Sequence, residues 1–250
     1  MTGALSRRAV ASAFLRSFLI QGSWNYHTML GSGFAFSMLP GLRKLYGSEP
    51  EAMEASVERH LEHFNAHPYL AGVALGAALK LEADGADAET VRRFKLAVRG
   101  PLGSLGDALV WADWLPGVSV LALALYWMGV SGWWAAVLFL AVYNVGHLGL
   151  RVWGFRVGLT EGRRVGRKLE QANFAGWTAR LKAAVALILG LLVGAVLAGD
   201  GGLAAAGWLW TGLAVCAFLA GLLLGHRAWR PAAVSVVAVI GILAALGTLG

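Results

Sequence analysis

Apolar and polar positions divide this chain near Trp114. From Leu115 onward it is a succession of long apolar runs broken by short polar or basic interruptions, whereas before Trp114 the two kinds of residue mix at close intervals. A helix needs about 20 apolar residues to cross a bilayer, and the runs at 115–132, 133–150, 183–199, 203–225 and 231–249 approach or meet that length. The first two are almost continuous and contain no Lys, Arg, Asp or Glu; MGVSGWW in their middle reads as the turn between them. The pattern predicts an all-α integral membrane protein with about five transmembrane helices. It falls into two regions: residues 1–114, an N-terminal part with broken or re-entrant helices, and residues 115–250, the transmembrane region.

The N-terminal region carries its own punctuation. SVERHLEHFNAHPYLAGVALGAALKLE reads as a helix interrupted at NAHP and then an apolar helix too short to span. The interruption has a physical cause, because Pro68 lacks an amide hydrogen and disfavours helical geometry at His67. EADGADAET is a polar turn into a basic helix, VRRFKLAVR, which runs into GPLGSLGD, residues 100–107. Three glycines and a proline predict a helix break there, with Asp107 at its end. Irregular backbone at membrane depth is tolerated only where protein or a wet cavity covers it, and such breaks often mark a transport site.

Composition supports the membrane reading. Only 14% of the residues are charged, 58% are hydrophobic and the mean hydropathy is +0.63, against roughly 25% charged in soluble domains. The net charge of +7 does not imply nucleic acid, because the basic residues sit beside apolar runs and suit a lipid surface. Residues 151–182 hold eight Lys or Arg against Glu161 and Glu170, so the positive-inside rule places this loop in the cytoplasm. Two further spans then bring HRAWR back to the same side and leave the C-terminus external. AVASAFLRSFLI is interrupted by Arg16 and does not read as a cleavable signal. The lone Cys216 excludes a disulfide framework.

Three ordered segments, RSFLIQGSWNYHTMLGSGFAFSMLPGLRKLYG, RHLEHFNAHP and GPLGSLGDALVW, resemble the IID component of mannose/fructose/sorbose-type sugar phosphotransferase systems. That family's pattern runs approximately G-S-W-N-(Y/F)-E-R-M-Q, R-H-L-E-F-F-N-T-x-P and G-P-L-A-G-(I/V)-G-D. The resemblance implies a membrane subunit that, with a IIC subunit, binds and carries a hexose-type sugar inward for phosphorylation by soluble IIA and IIB components. It also implies an inverted-repeat fold, trimeric assembly with IIC, elevator-type movement, a location in the inner (cytoplasmic) membrane, and no cofactor or covalent chemistry in this subunit. Two departures stand out: His27, Thr28, Met29 and Leu30 replace E-R-M-Q, and His63 and Ala66 stand in the F-F-N-T stretch. They leave open a second reading, a non-transporting family member that senses or scaffolds.

The candidate sugar-binding residues are Trp24, Asn25, His27, Asn65, His67, Asp107 and Trp111. Carboxylates and amides suit neighbouring hydroxyls because they accept, or both donate and accept, hydrogen bonds, and Trp24 and Trp111 offer apolar faces to a sugar ring. Each has a plainer role beside the functional one. Asp107 has the residue type of a helix N-cap, Asn25 and Asn65 of caps at helix breaks, and the tryptophans of interfacial anchors. His60, His63 and His67 are near helical spacing, but Pro68 interrupts the helix and Glu62 does not share their face, so they do not predict a metal site. No lysine or hydroxyl follows the last glycine of GPLGSLGD, which separates it from a phosphate-binding loop.

Overall fold

The computed structural model describes residues 5–198, which are helical with short connections and no named strand. Helices α1 (Arg7–Arg16), α2 (Gly31–Tyr46), α3 (Pro50–Leu61), α4 (Ala71–Ala83) and α5 (Ala88–Gly106) form the N-terminal region, followed by α6 (Leu115–Trp127), α7 (Gly132–Glu161), α8 (Val165–Gln171) and α9 (Phe174–Ala198). Local chemistry sets several boundaries. Ser6 caps α1 by accepting from the Ala9 amide at 3.2 Å, Asp87 caps α5 by accepting from Thr90 at 2.8 Å, and Pro50 opens α3 at the position where its missing amide hydrogen costs least.

The expected interruption at NAHP is present: α3 ends at Leu61 and α4 begins at Ala71. As expected, α4 is apolar and too short to span, and nearly all of it is buried. It packs on α7 through reciprocal small-residue pairs. Gly72 and Gly76 face Phe155 and Gly158, while Gly154 and Gly158 face Val73 and Ala77. A Cβ on Gly158 would lie 2.1 Å from the Val73 carbonyl oxygen, and one on Gly76 would lie 2.3 Å from that of Phe155. Backbone meets backbone here, the arrangement that small-xxx-small spacing permits between membrane helices.

The turn expected within MGVSGWW lies at Met128–Ser131, with Gly129 at φ 94°. The spans around it differ from expectation. The 115–132 segment ends its helix at Trp127, and the 133–150 segment continues as α7 to Glu161, about 45 Å at helical rise. The run expected from residue 183 already begins at Phe174. The basic stretch 151–182 is therefore mainly helix, with Arg151 buried inside α7 rather than exposed in a loop. The runs 203–225 and 231–249, HRAWR, Cys216 and the C-terminus lie outside the described residues.

GPLGSLGD is also not a break. Helix α5 carries Pro101 in its interior through Gly106, and Asp107–Trp114 continue it as a π-helical segment into α6. Tertiary packing overrides the local signals: Leu102 is fully buried, a Cβ on Gly103 would lie 3.9 Å from the Ala66 Cα, and Gly106 lies against His67. None of the three glycines takes a positive φ; their value is closeness. The two helical runs Ala88–Trp127 and Gly132–Gly190 each contain an 18-residue stretch apolar enough to cross a membrane, of mean hydropathy 1.7 and 1.5.

Candidate functional site

The three motifs converge on the extended segment between α3 and α4. The Gly22–Leu30 loop joins it by backbone pairing, because the Leu30 amide donates to the Phe64 carbonyl at 2.8 Å and the Phe64 amide donates to Thr28 at 3.2 Å. The π-helical segment approaches from the other motif: the His67 ring centroid is 5.4 Å from that of Trp111 and 4.9 Å from that of Tyr69. Gly106 makes that approach possible, since any larger residue would strike the imidazole.

His67 is the most distinctive side chain in this arrangement. It is 2% exposed, and its Nδ1 accepts from the Tyr69 amide at 3.2 Å. The neutral ring therefore carries its hydrogen on Nε2, which has no partner among the described residues. Burial, reinforced by the positive Arg151 nearby, pulls His67 down from 6.5 to about 4, so it is a neutral donor at pH 7. Trp111 is 47% exposed and presents an open aromatic face beside it. Asn65 is exposed and makes no side-chain hydrogen bond among the described residues.

The remaining candidates are placed differently. The Asn25 amide is occupied by its own loop: Oδ1 accepts from the His27 and Thr28 amides at 3.0 and 2.9 Å, and Nδ2 donates to Thr28 Oγ1 at 2.9 Å. Asn25 thus shapes the turn, in which Met29 adopts φ 53°. His27 is exposed at the loop tip, and Trp24, also half-exposed, packs edge-on against Tyr26 at 4.8 Å. Asp107 is exposed within continuous helix, at φ −62° and ψ −44°, so it is not the N-cap its residue type suggested. Its carboxylate has no hydrogen-bond partner among the described residues, and Trp111 follows it four residues later in the π-helical segment. The three histidines are divided among separate partners: Glu82 for His60, Arg99 for His63 and Tyr69 for His67.

Three buried polar clusters were not singled out in the sequence. Glu82, expected in a polar turn, is 3% exposed at the end of α4 and accepts two bonds from Arg59 at 2.8 Å, one from His60 at 2.8 Å and one from Tyr46 at 2.7 Å. Burial alone would raise the Glu82 carboxyl, but these donors outweigh it and hold it near 2. Burial also pulls His60 down to about 4, so it donates to Glu82 as a neutral ring. Arg151 is buried without a carboxylate partner among the described residues. It donates to His147 Nε2 at 2.8 Å and to the Ser17 carbonyl at 3.0 Å, and stacks over Phe18 and Tyr69. Asp113, 2% exposed, has Lys182 at 4.0 Å from Oδ1 and nothing on Oδ2. The signal for Arg151 was its neighbourhood: in GLRVWGF it sits among apolar residues and one turn from Gly154, which suits helix packing better than a solvated loop.

Comparison with known proteins covers most of this architecture. The family pattern of the PTS system mannose/fructose/sorbose family IID component matches residues 4–201. The mannose-specific EIID component of Escherichia coli K12 is 35% identical over 163 residues, 63% of this chain and 57% of that protein. The fructose permease IID component of Bacillus subtilis is 29% identical over 167 residues, 64% of this chain and 59% of that protein. The alignments thus span somewhat more than half the length of these relatives. Among solved structures, a chain described as a membrane protein superposes with a TM-score of 0.66 at 31% identity, covering 76% of this chain and 70% of that one. A chain from the complex of the mannose transporter ManYZ with microcin E492 superposes with a TM-score of 0.60 at 28% identity, covering 96% of both. With its three motifs folded onto one segment, this chain belongs to the IID components of the mannose/fructose/sorbose phosphotransferase family.

Proposed function

We propose that this IID chain binds a hexose-type sugar together with a IIC subunit and carries it across the inner membrane, where IIB, charged by IIA, phosphorylates it. The observation that carries this reading is the convergence of the three motifs beside His67, with its Nε2–H unpartnered and the Trp111 face open. A sugar ring has an apolar face that suits Trp111 and hydroxyls that suit the His67 donor, the Asn65 amide and the Asp107 carboxylate. Asn25 holds the neighbouring loop, which presents Trp24 and His27. The relatives' names support the substrate class, since they are described as mannose-specific, fructose permease and sorbose-specific components. The likeness to a chain of the mannose-transporter complex supports a partnered membrane assembly; in this reading the partner is IIC, the assembly is trimeric, and an inverted-repeat fold of about five spans moves the sugar in elevator fashion.

The chain's part is to bind, orient and move the sugar; phosphoryl transfer belongs to the soluble components. In this reading the basic stretch after α7, from Arg163 to Lys168, faces the cytoplasm, the Met128–Ser131 turn faces outward, and the C-terminus lies outside.

Asp107→Asn tests the site. Because Asp107 lies in helix interior and caps nothing, removing its charge leaves the backbone unaltered. Sugar affinity measured on the purified membrane complex falls about five- to thirty-fold if the carboxylate accepts sugar hydroxyls, the size of one charged hydrogen bond. Wild-type affinity removes Asp107 from the site, and wild-type affinity in His67→Phe and Trp111→Ala as well overturns the site as a whole.

A further inference from the structure

We propose that the crevice between α1 and α7 is a binding site for an anionic phospholipid, with the headgroup phosphate held between Arg7 and Arg156 and an acyl chain lying along the apolar walls. The crevice measures about 670 Å3. Its walls are Leu5, Val10 and Phe14 on one side and Val152, Phe155 and Leu159 on the other, and among the described residues the only charged side chains lining it are Arg7 and Arg156. The shape follows from how the helices meet. The Phe14 and Phe155 rings touch at 5.4 Å between centroids, and α1 continues from there toward its N-terminus while α7 continues toward its C-terminus, leaving the cleft between them.

Both cations are available for an external anion. Each is exposed, and neither has a carboxylate partner among the described residues. Arg7 and Arg8 also stand in the first turn of α1, which contains no acidic residue. The helix dipole disfavours cations at that end and favours an anion, so an incoming phosphate relieves an electrostatic conflict built into the helix. The apolar walls select a lipid over a free phosphate: a small anion gains nothing from Val10, Phe14 and Phe155, whereas an acyl chain removes them from water and fills the cleft. Further basic residues, Arg163, Arg164, Arg167 and Lys168, follow at the same end of α7, where they add to the attraction of an anionic leaflet. This site is independent of the sugar reading, since it shares none of the candidate sugar-binding residues.

The test uses the full chain, delipidated in mild detergent, with phosphatidylglycerol, phosphatidylcholine and soluble glycerol phosphate titrated separately and bound lipid counted by native mass spectrometry. Phosphatidylglycerol is expected to bind roughly thirty-fold more tightly than phosphatidylcholine, about five-fold for each arginine, and glycerol phosphate is expected not to compete. Arg7→Gln/Arg156→Gln should remove the preference, Arg7→Lys/Arg156→Lys should keep most of it, and Arg93→Gln, exposed on α5 and outside the crevice, should leave it unchanged. Ala11→Trp, which fills the cleft, should weaken both lipids. Equal binding of the two lipids to wild type, competition by glycerol phosphate, or an undiminished preference in the double Gln variant each overturns the proposal. The wild-type comparison decides even if a variant fails to fold.

Discussion

Gly106 and His67 are fitted to one another: a Cβ on Gly106 would stand 2.2 Å from the Cβ of His67 and 2.4 Å from its Cγ. The contact ties the third motif to the second and fixes where the imidazole sits. Gly106→Ala should therefore displace His67 or the π-helical segment, at a cost of about 1–3 kcal/mol, the usual range for overpacking. Gly100 is the internal control, because nothing lies within 4 Å of a Cβ there. Gly100→Ala should be neutral or stabilise the helix by up to about 1 kcal/mol. Melting temperatures of the two variants in detergent, moving in opposite directions or with Gly100→Ala unmoved, are the expected result.

The α4–α7 contact makes a sharper demand, since carbonyl oxygens and amides rather than flexible side chains line it. Gly158→Ala should lower stability more than Gly149→Ala, whose new methyl meets nothing within 4 Å. If both variants melt alike, the two helices have room that the structure denies them.

Acid should destabilise the N-terminal region in two stages. His60 and His67 have folded values near 4 against 6.5 ordinarily, so between pH 6.5 and 4 the unfolded chain binds more protons and stability falls as pH drops. Glu82, near 2 against 4.5, adds a second loss as pH falls from about 4.5 toward 2. A melting temperature that is flat above pH 7 and declines below 6.5 is expected, with a shallower decline in His60→Asn.

Glu82→Gln tests the cluster directly. It leaves the guanidinium of Arg59, 8% exposed, without its carboxylate, and removing one partner of a buried pair costs roughly 3–5 kcal/mol. Loss of folded, monodisperse protein, or a large fall in melting temperature, is the expected outcome; a wild-type melting curve would show the pair to be dispensable.

Arg151→Lys separates charge from shape. Lysine keeps the positive charge but cannot stack on Phe18 and Tyr69 while donating to His147 and Ser17 as the planar guanidinium does. A clear loss of stability despite conserved charge is expected, read from the melting temperature; an unchanged one would mean that charge alone suffices.

Topology is testable at the two ends of α7. In a Cys216→Ser background, an impermeant thiol reagent applied outside intact cells should label Ser131→Cys and spare Arg167→Cys. Both positions are exposed, and helix α7 between them exceeds the bilayer core of about 30 Å. The reverse pattern would invert the proposed orientation.

The sequence alone determined the features that depend on local chemistry or sheer apolar length. Helical class, the NAHP interruption, the shortness of α4, the turn at Met128–Ser131 and the family all follow from such signals, because a proline, a polar run or an apolar stretch acts wherever the chain goes. What it did not determine are the places where distant segments overrule local preference. GPLGSLGD has the composition of a break, yet continues as helix because Leu102 is buried and Gly103 and Gly106 lie against the Ala66–His67 segment. Arg151 and Glu82 have the composition of surface charges, yet are buried: Arg151 meets two aromatic faces and neutral acceptors, and Glu82 meets four donor bonds. Their partners lie up to 134 residues away along the chain. Whether a charge is solvated or buried depends on those partners, and no periodicity in the neighbouring sequence encodes them; only the packed tertiary structure brings Ser17, Tyr69 and Arg151 into one place.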